Sequence, residues 1–256
     1  MRISFIGAGR VATHLAQALS LQHQVVQILS RNLANASILA NRVNAEAIND
    51  VEQLSAQIDL LVIAVSDQAI SNVIESVSMR LPDVLIVHTS GSTHLQLLTQ
   101  YHAKSGVFYP LQTFSFEREV DWANTPLFIE AEQTHDLKIL TGLADSLSQR
   151  VYQYDSEQRL SLHLAAVFAC NFSNACYDMA KQVLDAKQVD FSLLYPLIIE
   201  TAHKATQNDP KQVQTGPAIR GDQNILMMHQ HMLADAERPD LKMIYACLSD
   251  AIIRNS

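Results

Sequence analysis

The most constraining stretch of the chain is its beginning. A short apolar run, Arg2–Ile6, ends in Gly7-Ala8-Gly9-Arg10-Val11-Ala12, and a helical pattern over Val11–Ser20 follows at once. This is GxGxxA placed between a strand and a helix. The first glycine permits a tight turn, the second lets backbone approach a pyrophosphate, and the small third residue lets helix pack on strand. The helix N-terminus then offers unpaired N–H groups and a positive dipole end to phosphates. Alone, the motif also describes a tight turn with no ligand. With a second apolar run at Gln24–Leu29, the order strand, turn, helix, strand reads as a dinucleotide site, with Gly7, Ala8, Gly9, Arg10 and Val11 as candidate contacts.

The end of the second strand bears on which dinucleotide. A site for NAD usually places Asp or Glu there to accept from the ribose hydroxyls. This strand ends Leu29-Ser30-Arg31-Asn32, with no acid. Arg31 can pair with a 2′-phosphate, Ser30 can donate to it, and Arg10 can add a second positive charge. The expected cofactor is therefore NADP; the plainer alternative makes Arg31 a solvated helix-start residue. Two further strand ends should reach the cofactor, because ligands of open α/β sheets sit beyond the strand C-termini. One carries Val65 and Ser66, the other Ser90 and Gly91 within His88-Thr89-Ser90-Gly91-Ser92. The second can let a nicotinamide lie against backbone, or it can be an ordinary capped loop.

Apolar runs continue at Ala45–Ile48, Leu60–Val65, Val84–His88, Gly106–Tyr109, Pro126–Glu130 and Arg150–Tyr154, with amphipathic stretches such as Asn32–Asn41 between the earlier ones. Several are nearly continuous Ile, Leu, Val and Ala, as in strands covered by helices on both faces. The expected class is α/β, a Rossmann-type, mostly parallel, doubly wound sheet. From Asp155 the character changes. Ser156 to Lys187 contains neither Gly nor Pro, and its apolar residues recur at three- and four-residue spacing. A helix over Phe191–Thr206, a loop over Asn208–Gly221 and two closing helices follow. The expected domains are residues 1–154, binding NADP, and residues 155–256, an all-helical domain for substrate or dimerisation.

Composition removes other classes. The 256 residues carry a net charge of -8 and no basic block, which disfavours nucleic acid as a partner. No apolar run reaches the roughly 18 residues of a membrane span. The N-terminus reads as a strand rather than a signal peptide, which points to the cytoplasm. Cys170, Cys176 and Cys247 form no CxxC pair; small buried hydrophobes are expected, with no metal site.

Several segments together resemble one family: GAGRVA at the start, AVSD, HTSGS, Gly106 to Phe114 (GVFYPLQTF), His163 to Phe172, and Gly216 to Asp222 (GPAIRGD). Over nearly the whole chain the sequence is similar to Rossmann-like proteins whose second half is the domain of unknown function 2520, within the 6-phosphogluconate-dehydrogenase-like superfamily. The resemblance implies NADP binding and a helical C-terminal domain that often builds a homodimer; it implies no established substrate. Two departures stand out. The family pattern has His before the proline of PLQTF, where this chain has Tyr109, a much weaker acid near neutral pH. Related hydroxyacid dehydrogenases carry Lys-x-x-x-Asn on the first long helix of the second domain; Asn171 matches the Asn, but Val167 holds the lysine position.

His163 lies one turn before Val167. At 100° per residue, His163, Val167, Asn174 and Asp178 fall within about 60°, with Asn171 at the border. This polar stripe can face a cleft between the domains, with His163 as proton donor and Asn171 orienting a carbonyl or imine; it can equally be a solvated or interfacial face. Arg220, on a turn fixed by Gly216 and Pro217, can grip a substrate carboxylate or pin the loop to Asp178. The leading expectation is an NADP-dependent oxidoreductase acting on a small carbonyl or imine compound. The rivals are a non-catalytic NADP-binding sensor or regulatory dimer, supported by Val167 and Tyr109, and a structural dimer with a vestigial site.

Overall fold

Apolar runs too short for helices become the strands of a single sheet in the computed structural model, which describes residues 1–255. In chain order the first elements are β1 (Arg2–Ile6), α1 (Arg10–Ser20), β2 (Gln24–Leu29), α2 (Leu33–Val43), β3 (Glu46–Ile48) and β4 (Leu60–Ile63). Then come α3 (Asp67–Val77), β5 (Leu85–His88), the one-turn α4 (Gln96–Thr99), β6 (Ser105–Pro110), β7 (Leu127–Ala131), α5 (Thr134–Asp145) and β8 (Val151–Gln153). The eight strands are ordered β3-β2-β1-β4-β5-β6-β7-β8. β1 to β6 run parallel, β7 is antiparallel to β6, and β8 is parallel to β7. The expected Rossmann-type, mostly parallel sheet is present.

Both faces are covered, which is why the strands read as unbroken apolar runs. Leu60 and Val62 pack in one layer with Leu15, Leu39 and Leu140 of α1, α2 and α5. Their neighbours Leu61 and Ile63 pack in the other, with Ile70 and Ile74 of α3 and Leu98 of α4. The chain winds outward from β1 to β3, then crosses to β4 on the other side of β1. That reversal opens a crevice beyond the C-terminal ends of β1 and β4.

The chain divides into two compact units, Met1–Asn171 and the residues from Phe172 onward. The first takes in α6 (Ser156–Ala166), which starts at Asp155 with a full capping box to Gln158. A buried ion pair holds α6 to the sheet, with Arg159 on Glu130 of β7. The continuous helix expected over Ser156–Lys187 is interrupted: Val167–Phe172 is a π-helical turn, and α7 resumes over Ser173–Asp185. An inserted residue of this kind leaves the apolar periodicity on either side intact, so spacing alone does not reveal it.

Within the second unit, α7 is followed by a 3₁₀ turn (Phe191–Leu194), α8 (Tyr195–Gln207), α9 (Gln223–Asp235) and α10 (Pro239–Arg254). Pro196 lies in the first turn of α8, where its missing N–H costs nothing. Among the described residues no helix is long and apolar enough to cross a membrane. The cysteines correct an expectation: all three are exposed and unpaired. Each lies on a helical segment, at a position exposed to solvent.

Candidate functional site

Gly7 stands at the end of β1 with φ +115°, and a Cβ there would come within 2.2 Å of the Ala64 carbonyl oxygen. Only glycine fits a turn pressed this closely against the end of β4. At Gly9 a Cβ would meet nothing within 4 Å. Protein packing does not require that glycine; its missing side chain leaves open space over the turn. Gly9 is also the N-cap of α1, with no side-chain cap and no acid in the first turn. The orphan N–H groups of the helix start therefore lack a side-chain acceptor, a fit for a pyrophosphate.

A cleft of about 1090 Å³ runs over this turn, at the upper end of pockets for drug-sized ligands, roughly 300–1,000 Å³. It is lined by Gly7, Ala8, Gly9, Arg10, Val11, Ser30, Arg31, Val65, Ser66, Ser90, Gly91, His163 and Asn171. Thirteen residues singled out from sequence thus meet along one surface. Arg31 is exposed and has no ion-pair partner among the described residues. Asn32, not Arg31, caps α2 through its side chain, so the cation is not used to start the helix. Arg10 carries no ion pair either and lies over the Phe116 ring at 5.7 Å.

At the other end, β5 delivers the loop His88–Thr93. His88 is fully buried and its Nδ1 accepts the Ser90 N–H at 3.1 Å. Burial, and secondarily the Arg159 guanidinium, pushes its pKa down to about 3, so it is neutral and its proton sits on Nε2. The Ser90 hydroxyl in turn accepts from the N–H groups of Ser92 and Thr93. Arg159 holds the loop from below by donating to the Thr93 carbonyl at 2.5 Å. The product is a rigid shelf that ends in Gly91.

Two side chains meet above that shelf. Tyr109 Oη, from β6, is 3.1 Å from His163 Nδ1, from α6, with the rings edge-on. A Cβ on Gly91 would lie 2.5 Å from His163 Nδ1 and 2.7 Å from Tyr109 Cζ. The glycine is there for the pair. Burial pushes the Tyr109 phenol up to about 12; the Arg159 cation opposes this and Asp67 reinforces it. Asn171 joins the cleft because of the π-helical turn. A π turn advances less per residue than 100°, which swings Asn171 from the edge of the stripe back toward the face of His163. Asn174 and Asp178, further along the expected stripe, are exposed on α7, and Asp178 accepts from Gln182.

Arg220 lies in the helical unit, exposed and with no ion-pair partner among the described residues. The alternative salt bridge to Asp178 does not form. Sequence reasoning missed Tyr109 as a partner of His163. It also missed Asn72 and Ser76 of α3, and Gln112 to Phe114 after β6, all of which line the cleft. Phe114 is held there by the rings of His14 and Trp122.

Comparison with known proteins agrees with the fold. A Rossmann-like domain matches residues 1–112, and the family described as domain of unknown function 2520 matches residues 125–252. No functionally curated protein matches the chain. Among solved structures, a presumed NADP oxidoreductase from Bacteroides fragilis is 42% identical, with TM-score 0.93 over 99% of this chain and 98% of that one. An imine reductase from Myxococcus stipitatus, solved with NADP+, is 17% identical with TM-score 0.67 over 99% and 92%. The prephenate dehydrogenase of A. aeolicus, solved with NAD+, is 12% identical with TM-score 0.61 over 98% and 96%. The last two show the fold alone. The chain belongs to the family of Rossmann-like proteins whose C-terminal half is the domain of unknown function 2520.

Proposed function

We propose that the protein is an NADP-dependent reductase of a small carbonyl or imine compound. The observation that carries this is the continuity of one cleft: an uncapped helix start and Arg31 at one end, and Tyr109, His163 and Asn171 at the other. The cofactor is NADP, as named for the B. fragilis relative and seen with the imine reductase. Gly7, Ala8, Gly9, Arg10 and Val11 hold its pyrophosphate, Ser30 and Arg31 its 2′-phosphate. Val65, Ser66, Ser90 and Gly91 border the nicotinamide. When bound and reduced, the cofactor supplies a hydride. His163 supplies the proton, and Asn171 orients the substrate carbonyl or imine. Arg220, exposed and without an ion-pair partner among the described residues, is the candidate grip for a substrate carboxylate.

Val167, in the lysine position, favours a second reading, a non-catalytic NADP-binding protein. The Tyr109–His163 pair weakens that reading, since proton transfer does not then depend on a lysine. Consumption of NADPH across a panel of imines, aldehydes and oxo acids separates the two. Turnover lost in both His163→Ala and Asn171→Ala supports the reductase; tight NADPH binding without turnover sinks it. Arg31→Ala is expected to cost about 10- to 100-fold in NADPH affinity, the worth of a charged hydrogen-bonded pair, and little in NADH affinity. Equal wild-type affinities for NADPH and NADH would overturn the assignment of Ser30 and Arg31.

We also infer a homodimer built through the helical unit. Among the described residues of that unit only Ala218, Leu226 and Leu241 are buried apolar residues, while Leu193, Leu197, Ile199, Met227, Met232 and Met243 are each more than half exposed. An apolar surface of this extent is what a second copy would cover. Light scattering is expected to give a dimer mass at micromolar concentration; a monomer there refutes the inference.

A further inference from the structure

The proposed reduction needs a proton at the substrate oxygen or nitrogen, and two residues of the cleft stand in series for it. We propose that the proton reaches the substrate through Tyr109 Oη, with His163 as the reservoir behind it. This rests on the reductase reading. The Tyr109 ring is packed with Leu95, Val107 and Phe128, and the residue also lines the cleft. Among the described residues its hydroxyl has one hydrogen-bond partner, His163 Nδ1. The oxygen keeps capacity for a second partner, and the cleft is where that partner can be. Arg10 and Arg31 lie at the phosphate end. Near the pair, the remaining ionisable groups are committed: the Asp67 carboxylate accepts from the Ser92 hydroxyl, Arg159 is paired with Glu130, and buried His88 is neutral.

The order of the relay follows from the donors. The phenol, pushed up to about 12, stays protonated at every working pH. Toward neutral His163 it is the donor, and the imidazole proton then sits on Nε2. When His163 takes up a proton, Nδ1–H donates to Tyr109 Oη, and the phenolic O–H is released toward the cleft. As hydride reaches the substrate carbon, the electron pair of the C=O or C=N bond moves to the heteroatom and takes the Tyr109 proton. Oη takes the Nδ1 proton in the same motion. His163 is left neutral and is reprotonated from water. No free tyrosinate forms, so the raised phenol pKa is no obstacle.

The test compares wild type with Tyr109→Phe, which keeps the ring and removes the hydroxyl. NADPH affinity, read by cofactor fluorescence, is expected to stay within about twofold of wild type. Turnover of whichever panel compound the wild type reduces is expected to fall about 10²- to 10⁴-fold, the usual worth of a positioned acid. Rates in mixtures of light and heavy water should curve for the wild type, as two protons move together. Nitrogen NMR of His163 gives a readout independent of turnover: the Nε2–H tautomer is favoured in wild type beyond its preference in free histidine, and Tyr109→Phe relaxes the ratio toward the free value. Wild-type turnover retained by Tyr109→Phe overturns the relay alone and leaves His163 acting directly. A wild type that binds NADPH and reduces nothing overturns both readings.

Discussion

Arg159→Met is expected to lower the stability of the sheet-side unit by about 3 kcal/mol, toward the low end of the cost of breaking a buried ion pair. The Arg159 side chain is 1% exposed and that of Glu130 is 16%. With the arginine gone, the carboxylate keeps the Ser156 hydroxyl, which donates to it at 2.8 Å, and some contact with water. That is why the low end applies. The Thr93 carbonyl, which accepts from Arg159 at 2.5 Å, is left without its donor. Urea denaturation of wild type, Arg159→Met, Glu130→Gln and the double variant measures the effect. The double variant should recover most of the loss, because neutralising both partners removes the unpaired charge. Arg159→Lys should fall between, keeping the charge but losing the fork that reaches two acceptors. A single variant as stable as wild type would show that the pair does not anchor α6. Turnover should fall as well, since the same guanidinium holds the loop beneath Gly91.

How much of this was legible in the sequence depends on whether a signal is local. The glycine turn is encoded in consecutive residues, and every contact assigned to it lines the cleft. Strand positions were readable because residues covered on both faces are continuously apolar. Three features were not readable, each for a physical reason. Arg159 looks like a solvated helix residue, and nothing in its neighbours announces that Glu130, 29 residues earlier, is waiting in the interior. The π-helical turn preserves local apolar spacing while rotating everything beyond it, so Asn171 seemed to border a stripe that it joins. Tyr109 was judged by the acidity of a lone tyrosine. Its chemistry is set by a residue 54 positions away, and only the fold brings His163 to it. The one local hint was Gly91, read as room for a nicotinamide when its closest neighbours are the Tyr109 and His163 side chains.

Gly91→Ala should therefore cost turnover heavily, because its added methyl group strikes the Tyr109–His163 pair itself. Glycine here is not needed for a left-handed backbone; what it provides is space. A Cβ would lie 2.5 Å from His163 Nδ1, 2.8 Å from its Cγ and 2.7 Å from Tyr109 Cζ. Of these, the Tyr109 ring cannot yield cheaply. The Tyr109 ring is packed against Phe128, the shelf is held by His88 and Arg159, and His163 is the side chain left to swing away. Displacing a proton-transfer group by about 1 Å can cost about 10²-fold, and swinging it out of reach costs more. Overpacking adds about 1–3 kcal/mol of destabilisation. The cofactor grip at the glycine turn and Arg31 is untouched, so NADPH affinity should change less than about tenfold. The second variant that makes this decisive is Gly91→Ala combined with His163→Ala. Truncating the imidazole removes the contacts at 2.5 and 2.8 Å and leaves the one with Tyr109 Cζ at 2.7 Å, so stability should return part of the way to that of His163→Ala alone, while turnover stays low because the proton source is gone. No recovery at all would place the clash on Tyr109 alone. Wild-type turnover in Gly91→Ala would mean that the pair above the shelf takes no part in the chemistry.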